Sequence, residues 1–416
     1  MRSKLNYIRP DPKLPWWTKL AWRLYTPLPP VAGDVLMRCL RYTLPFTNLR
    51  IPVAIFRGRS RCDGQPGTVV AAGAGDGMNY LIHHFFESEP QREAVSNVPV
   101  WNLTRTLQRW RTTVDLTIVC VDRLSARPFF GADYLAVPEW VGATLSVPED
   151  LTALARRSSH LKDDLRVVRR NGLTSDITHA ESDFEVFYHT MYVPFIRNRH
   201  GEHAVIRNID WLRRTFCHGG LQWIRRDGQP IAGQILQRRG PILKFVVLGK
   251  ISEEWAPVKS GTTDALYFFG IQHAKELGCT LIDLGSCRPS LGNGVLRHKR
   301  KWGALLVEQP YAYYDLLVHW TRFSGPVVAF LAHTPLVFRD RSGLSAIAVV
   351  DRSEAVTRAE AAKVHHAMWM PGLRRLYLVA TAGWQAGQES PPQTVLLNLA
   401  DVEDCDPQKL QTLGNT

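Results

Sequence analysis

A chain of 416 residues with 45% hydrophobic and 21% charged side chains is globular in composition, which excludes disorder and collagen-like repetition, and too long for one ordinary core. Its formal net charge of +13 makes a surface that attracts polyanions: nucleic acid, anionic lipid, nucleotide phosphates or phosphorylated glycan precursors. No apolar run reaches the ~18 residues of a membrane span, and the seven cysteines include no pair with zinc-knuckle or redox spacing, as expected of reduced thiols in a cytoplasmic protein.

Residues 1–45 form a basic segment rich in Pro and Trp. It lacks an uninterrupted apolar core, so it is not expected to be a secretory signal. Trp16, Trp17, Lys19, Trp22, Arg23 and Tyr25 alternate aromatic and basic character; they are expected to wrap onto their own domain, with docking on a membrane surface or partner as the alternative. Residues 46–150 predict an N-terminal α/β domain. The strands "IPVAIF", "GTVVAAG" and "DLTIVCVD" alternate there with helices over "GMNYLIHHFFES" and "LTRTLQRWRTT". Gly73, Gly75 and Gly77 invite a nucleotide-binding reading, but the acidic residue required about twenty positions later is absent. A tight strand-to-helix turn is the better expectation.

Residues 151–310 carry the strongest patterns. "SSHLKDDLRVVRRNG" predicts a helix capped by Ser158 or Ser159 and stopped at Asn171-Gly172, with Leu161, Leu165 and Val168 buried and a basic stripe of Lys162, Arg166 and Arg169. The next helix opens with Ser182 and Glu185 in capping-box spacing. Its stripe of Phe184, Phe187, Tyr188, Met191 and Phe195 reads as core, and Pro194 should kink or end it. His200 and His203 have no further ligand pattern around them, so no metal, zinc included, is expected. Asp227-Gly228 and "RRGP" predict hairpins. After the strand "LKFVVLG", a helix closed by Gly278 leads to the strand "TLIDLGS" with Asp283 at its centre. The run "LGNGVLRHKRKWG" then concentrates Arg297, His298, Lys299, Arg300 and Lys301 between a glycine turn and Trp302. Residues 311–416 predict a small C-terminal α/β appendage with a loose, polar tail.

The order of elements over 159–303 resembles the acetyltransferase-like (GNAT) superfamily, in the branch of the BioF2-like acetyltransferase domain and the Fem-type aminoacyl transferases. "LKDDLRVVRRNG", "GQPIAGQIL", "LKFVVLG", "SGTTDALYFFGIQHAKELG", "LIDLGS" and "LRHKRKWG" carry the resemblance, with Lys299 and Trp302-Gly303 matching the Lys and aromatic-Gly pair that end the pattern. It implies a mixed α/β GNAT-like acyltransferase fold over 151–310, with 46–150 open to being a degenerate first copy.

The chemistry so implied is acyl or aminoacyl transfer to an amine or hydroxyl of a cell-envelope or polysaccharide precursor. Val247 and Leu248 would offer backbone N–H groups to the tetrahedral oxyanion. The donor's phosphates would rest near Gly261, Thr262 and Thr263 at a helix N-terminus. "APVKSGTTDA" departs from the glycine-rich loop of coenzyme-A binders, so aminoacyl-tRNA stands beside acetyl-CoA or another acyl-CoA as donor, and no tightly bound cofactor is implied. Asp283 and His298 are the candidate bases. Arg288, Arg297 and Lys299 are the candidates for holding donor or acceptor phosphates, in a cytoplasmic or membrane-peripheral enzyme. The runner-up is a non-enzymatic anion-binding or scaffold protein on a degenerate acetyltransferase fold.

Overall fold

In the computed structural model the described residues are Ala32, Val35 and 49–416, apart from 132, 152–158, 202–203, 255–260, 310–312, 386–389 and 414–416. Trp16, Trp17, Lys19, Trp22, Arg23, Tyr25, Ser158 and His203 lie outside them. The strands are β1 (Arg50–Arg59), β2 (Pro66–Ala72), β3 (Gln91–Pro99), β4 (Leu116–Asp122), β5 (Leu135–Pro138), β6 (Val141–Ser146), β7 (Thr174–Thr178), β8 (Gly220–Arg226), β9 (Gln229–Arg239), β10 (Ile242–Lys250), β11 (Leu281–Cys287), β12 (Leu305–Glu308), β13 (Tyr314–His319), β14 (Leu336–Arg339), β15 (Leu344–Val350), β16 (Leu373–Ala380) and β17 (Thr394–Asn398). The chain divides into two units interleaved along the sequence. One comprises Met1–Val35, Gly142–Gly285 and His298–Leu305, the other Leu36–Val141, Ser286–Arg297 and Leu306–Thr416.

The second unit is built on a ten-stranded sheet in the order β17-β16-β15-β14-β5-β13-β4-β2-β1-β3. The residues expected as a C-terminal appendage thus share one sheet with those expected as an N-terminal domain. The reason is long-range pairing: β13 lies antiparallel between β4 and β5, with Leu316 opposite both Cys120 and Val137. Alternation along β2 loads both faces of the sheet. Val69 and Ala71 join the core formed with Leu81, Phe85, Phe330 and Leu331, while Val70 and Ala72 join Leu103 and Leu107 on the other face.

Gly73 φ is 101°, and a Cβ there would meet the Cys120 carbonyl oxygen at 2.4 Å, so the first glycine of the motif serves a tight turn. At the start of the helix Asp76–Phe85 the Gly77 N–H points to Glu139 Oε1 at 3.4 Å, and Glu139 is 3% exposed. The protein's own carboxylate faces this helix N-terminus, where a nucleotide phosphate would have to sit.

In the first unit the strand order is β6-β11-β10-β9-β8-β7. β7 to β10 form an antiparallel meander, in which Asp227 and Gly228, both at positive φ (51° and 77°), make the tight turn between β8 and β9. The helix Ser159–Arg170 buries Leu161, Leu165 and Val168 and leaves Lys162, Arg166 and Arg169 exposed.

The capping box expected at Ser182 and Glu185 does not form. The helix starts at Glu181, and both Glu181 and Glu185 pair with Arg213 instead. Pro194 does not end the helical run. A π-helical turn, Phe187–Tyr192, stands before it and the helix Val193–His200 follows, with the Val193 N–H donating to Tyr188 O. The wider turn accommodates the donor that proline lacks. Phe184, Phe187, Met191 and Phe195 are buried, and Tyr188 is partly buried against the cluster of the first three, so the aromatic stripe is core. Among the described residues no helix is long and apolar enough to cross a membrane.

Candidate functional site

β10 and β11 run parallel, joined by the helix Thr262–Glu276, but they pair over three positions only: Ile242 with Leu281, Leu243 with Ile282 and Lys244 with Asp283. β10 then continues to Lys250 along β9, with a register shift between Phe245 and Val247. This bulge bends the strand just where its ladder to β11 ends. The result is a parallel pair that opens into a V. Beyond the bulge Val247 faces Ile235 and Leu248 faces Gln234. Successive residues of an antiparallel ladder direct their N–H groups to opposite sides. One of these two amides therefore serves β9, and its neighbour points to the side from which β11 has diverged.

The β11 limb of the V turns at Gly285, whose φ is 75°, a conformation open to glycine at little cost. Asp283 Oδ1 accepts the Gly285 N–H at 2.8 Å, and Lys244 Nζ lies 3.5 Å from Asp283 Oδ2. Lys299 Nζ donates to the Gly285 carbonyl oxygen at 2.8 Å, and Lys299 is 2% exposed. Asp283 is thus engaged through both oxygens. Lys299, expected from the basic run to hold a substrate phosphate, has an internal partner in the Gly285 carbonyl.

That run is a helix, Gly294–Lys301, capped by Asn293 Oδ1, which accepts from Val295 N at 3.0 Å. The glycines were expected to turn the backbone, and Gly294 instead begins the helix. His298 sits edge-on to Tyr267, with ring centroids 4.7 Å apart. Its Nε2 is buried, 3.9 Å from Asp264 Oδ1, too far for a hydrogen bond. Burial first, and then the charges of Lys301, Lys250 and Lys299, push its pKa down to about 3. The imidazole is neutral at physiological pH and a weak base, which argues against the general-base role.

The anion site expected at Gly261, Thr262 and Thr263 is also altered from within. Gly261 takes φ 77° before the helix, and a Cβ there would lie 3.3 Å from Val168 N. Thr262 is wholly buried. The first turn carries Asp264, bonded to Lys301 Nζ at 2.5 Å, and the same ammonium reaches Asp164 Oδ2 at 2.7 Å. Burial raises the Asp264 pKa, with Lys301 opposing. A carboxylate already faces the positive end of the helix dipole.

Arg288 and Arg297 belong to the second unit, so the three expected phosphate binders divide between the units. The Arg288 guanidinium lies 3.8 Å from the centroid of Trp140 and 5.6 Å from that of Tyr80, and Arg297 is exposed. Sequence reasoning missed Lys244, Tyr267, Asp264 and Asp164, and with them the buried partners of Lys301. The alternation of β10 against "LIDLG" offered a signal for Lys244; the other contacts join distant stretches. Among the described residues no group of three or more His, Cys, Asp or Glu is placed to hold a metal ion.

An antiparallel meander, a bulged fourth strand, a crossing helix and a fifth strand that parts from the fourth define the architecture. The first unit has an acetyltransferase-like fold. No protein-family model and no curated protein matches the chain. Among solved structures it is similar to L-PGS from Bacillus licheniformis, at 16% identity over 66% of this chain and 86% of that one, with a TM-score of 0.34. It is similar to FemX at 12% identity, over 66% and 90% of the two chains, with a TM-score of 0.35. A GCN5-related N-acetyltransferase from Kribbella flavida has 11% identity, over 60% and 80%, with a TM-score of 0.24.

Proposed function

We propose that this acetyltransferase-like protein is an acyltransferase that uses an aminoacyl-tRNA in preference to an acyl-CoA donor. The acceptor would be an amine or hydroxyl of a cell-envelope or polysaccharide precursor. The observation that carries the reading is the opening of β10 from β11 after Lys244 and Asp283, beside the bulge. A donor carbonyl lying in the V would meet the outward amide of Val247 or Leu248, aimed where the oxyanion develops. The acceptor nitrogen or oxygen attacks that carbonyl carbon, the ester or thioester bond breaks, and the leaving group takes the acceptor's proton. Asp283 and His298 are poorly suited to remove that proton, so catalysis would rest on positioning a deprotonated amine.

The preference for tRNA follows from the Thr262–Glu276 helix. Its first turn presents Asp264 rather than a row of glycine amides, which disfavours a pyrophosphate there. The net charge of +13 suits a polynucleotide donor, whose binding would weaken steeply with salt.

The test is transfer by the purified chain from charged tRNA and, separately, from acetyl-CoA to amine- and hydroxyl-bearing lipid and peptidoglycan precursors, with products weighed by mass spectrometry. The acceptor should gain an aminoacyl mass with charged tRNA. Transfer from acetyl-CoA alone would overturn the donor assignment. Binding of neither donor and transfer from neither would replace the enzyme reading with the anion-binding scaffold.

A further inference from the structure

We propose that Asp283 and Lys299 are positioning residues that grip Gly285 from its two sides and so hold open the V between β10 and β11. The Gly285 N–H is taken by Asp283 Oδ1 and its C=O by Lys299 Nζ, both at 2.8 Å. Between these two contacts the chain has a positive φ of 75°, which an extended ladder residue does not adopt. The last pair in register, Lys244 with Asp283, is tied by the same carboxylate through Lys244 Nζ at 3.5 Å. One carboxylate therefore ends the ladder and starts the turn, and one buried ammonium fixes the turn's carbonyl.

The geometry explains why a lysine is 2% exposed at this position. A cation enters a protein interior only with compensating partners, and a peptide carbonyl is an acceptor that a diverging strand leaves available. Lys299 comes from the helix that follows β11 in sequence, so the reach is short. Without the grip, residue 285 is free to return to extended backbone, and β11 can continue its ladder along β10. That movement closes the space a donor carbonyl would need. The consequence for catalysis rests on the acyl-transfer reading above; the grip itself does not.

The decisive measurement is hydrogen–deuterium exchange on the ligand-free full chain, read by mass spectrometry over residues 242–250 and 281–287. In Lys299→Met, exchange over these segments should change by about 10- to 100-fold, slower at amides that join the lengthened β10–β11 ladder and faster at the released Gly285 turn, because a charge-assisted bond has gone. Segments in the second unit's sheet should not change. Lys299→Arg, which keeps a donor and a charge, should restore most of the native pattern. Unchanged exchange over both segments in Lys299→Met would overturn the proposal. If circular dichroism shows that variant unfolded, Asp283→Ala is read by the same criterion, since Asp283 is partly exposed and its loss is better tolerated. An unchanged pattern there overturns the proposal equally.

Transfer kinetics add a second readout. A grip predicts that Lys299→Met loses kcat, with KM for the donor within about twofold of the parent. Loss of a lysine that held a substrate phosphate would raise KM and leave exchange in the ligand-free protein as it was. If the parent chain transfers nothing from either donor, the functional reading fails while the exchange experiment still decides the grip.

Discussion

Lys301 Nζ lies 2.5 Å from Asp264 Oδ1 in the first turn of the Thr262–Glu276 helix, and its other partner, Asp164, belongs to the helix Ser159–Arg170. One ammonium therefore ties two helices. The three side chains are 22%, 14% and 18% exposed, buried enough that an unpaired carboxylate is costly. Lys301→Met should destabilise the chain by about 2–4 kcal/mol in urea unfolding. Adding Asp264→Asn should recover part of that loss. Equal stability of Lys301→Met and the parent would show the triad to be an ordinary solvated surface cluster.

Three histidines are held neutral: His298 is pushed down to about 3, and His84 and His319 each to about 4. Burial is the first cause in each case; Lys301 adds to it at His298 and Arg111 at His319, where Arg111 Nε donates to His319 Nε2 at 3.0 Å. Unfolded, each would titrate near 6.5. Below that value the unfolded chain binds protons that the folded chain refuses. The stability contributed is complete above pH 6.5 and lost as pH falls toward the folded values. Each such group contributes a slope of at most about 1.4 kcal/mol per pH unit. His298→Gln should make the acid limb of the stability curve shallower by about that amount between about pH 5.5 and 4. Parallel curves for variant and parent in urea titrations would refute the assignment.

Local signals in the sequence survived where their chemistry was local. Asp227-Gly228 makes the β8–β9 turn because both residues accept positive φ, and no distant contact competes. Glu185 shows the opposite case. Its spacing to Ser182 was right for a capping box, but Arg213, 28 residues away, offered a charged partner. The basic run is divided in the same manner. Lys299 and Lys301 turn inward to Gly285 and to Asp164 and Asp264, while Arg297 stays exposed. Cation density reads from sequence; which cations find a buried partner depends on strands and helices that meet only after folding. The ten-stranded sheet was hidden for a related reason, since β13 pairs with β4 across roughly two hundred intervening residues.

Asp315 lies between two arginines of the second unit, accepting from Arg339 Nη1 at 2.8 Å and Arg123 Nε at 3.3 Å, and its side chain is 6% exposed. Like charge repels like across this carboxylate. Asp315→Ala would leave both guanidinium groups facing each other with Glu308, among the described residues, to balance them, 3.1 Å from Arg339 and 3.7 Å from Arg123. A loss of about 3–5 kcal/mol is expected, measurable by urea unfolding. The double change Asp315→Leu with Arg339→Met should be milder than Asp315→Ala, because it removes charges in pairs. A double variant less stable than the single one would mean that the contacts of the Arg339 stem, and not charge balance, dominate.

Gly249 marks where β10 touches the π-helical turn. A Cβ there would lie 2.6 Å from Tyr192 N, 2.7 Å from Tyr192 Cα and 2.8 Å from Met191 C, all backbone atoms that cannot swing aside. Gly249→Ala must push β10 and the Phe187–Tyr192 turn apart. Overpacking of this kind costs about 1–3 kcal/mol, and it falls on the strand that forms one limb of the V. Thermal unfolding should show the loss, and exchange over residues 245–250 should quicken beyond the global change. Gly233→Ala provides the contrast, since the atoms nearest its Cβ would belong to the rings of Phe187 and Trp223, at 2.9 and 3.0 Å. Rings yield by small rotations where a helix backbone does not, so Gly233→Ala should be the milder of the two. If Gly249→Ala proves as mild, the π turn is not held against β10 as tightly as these distances require.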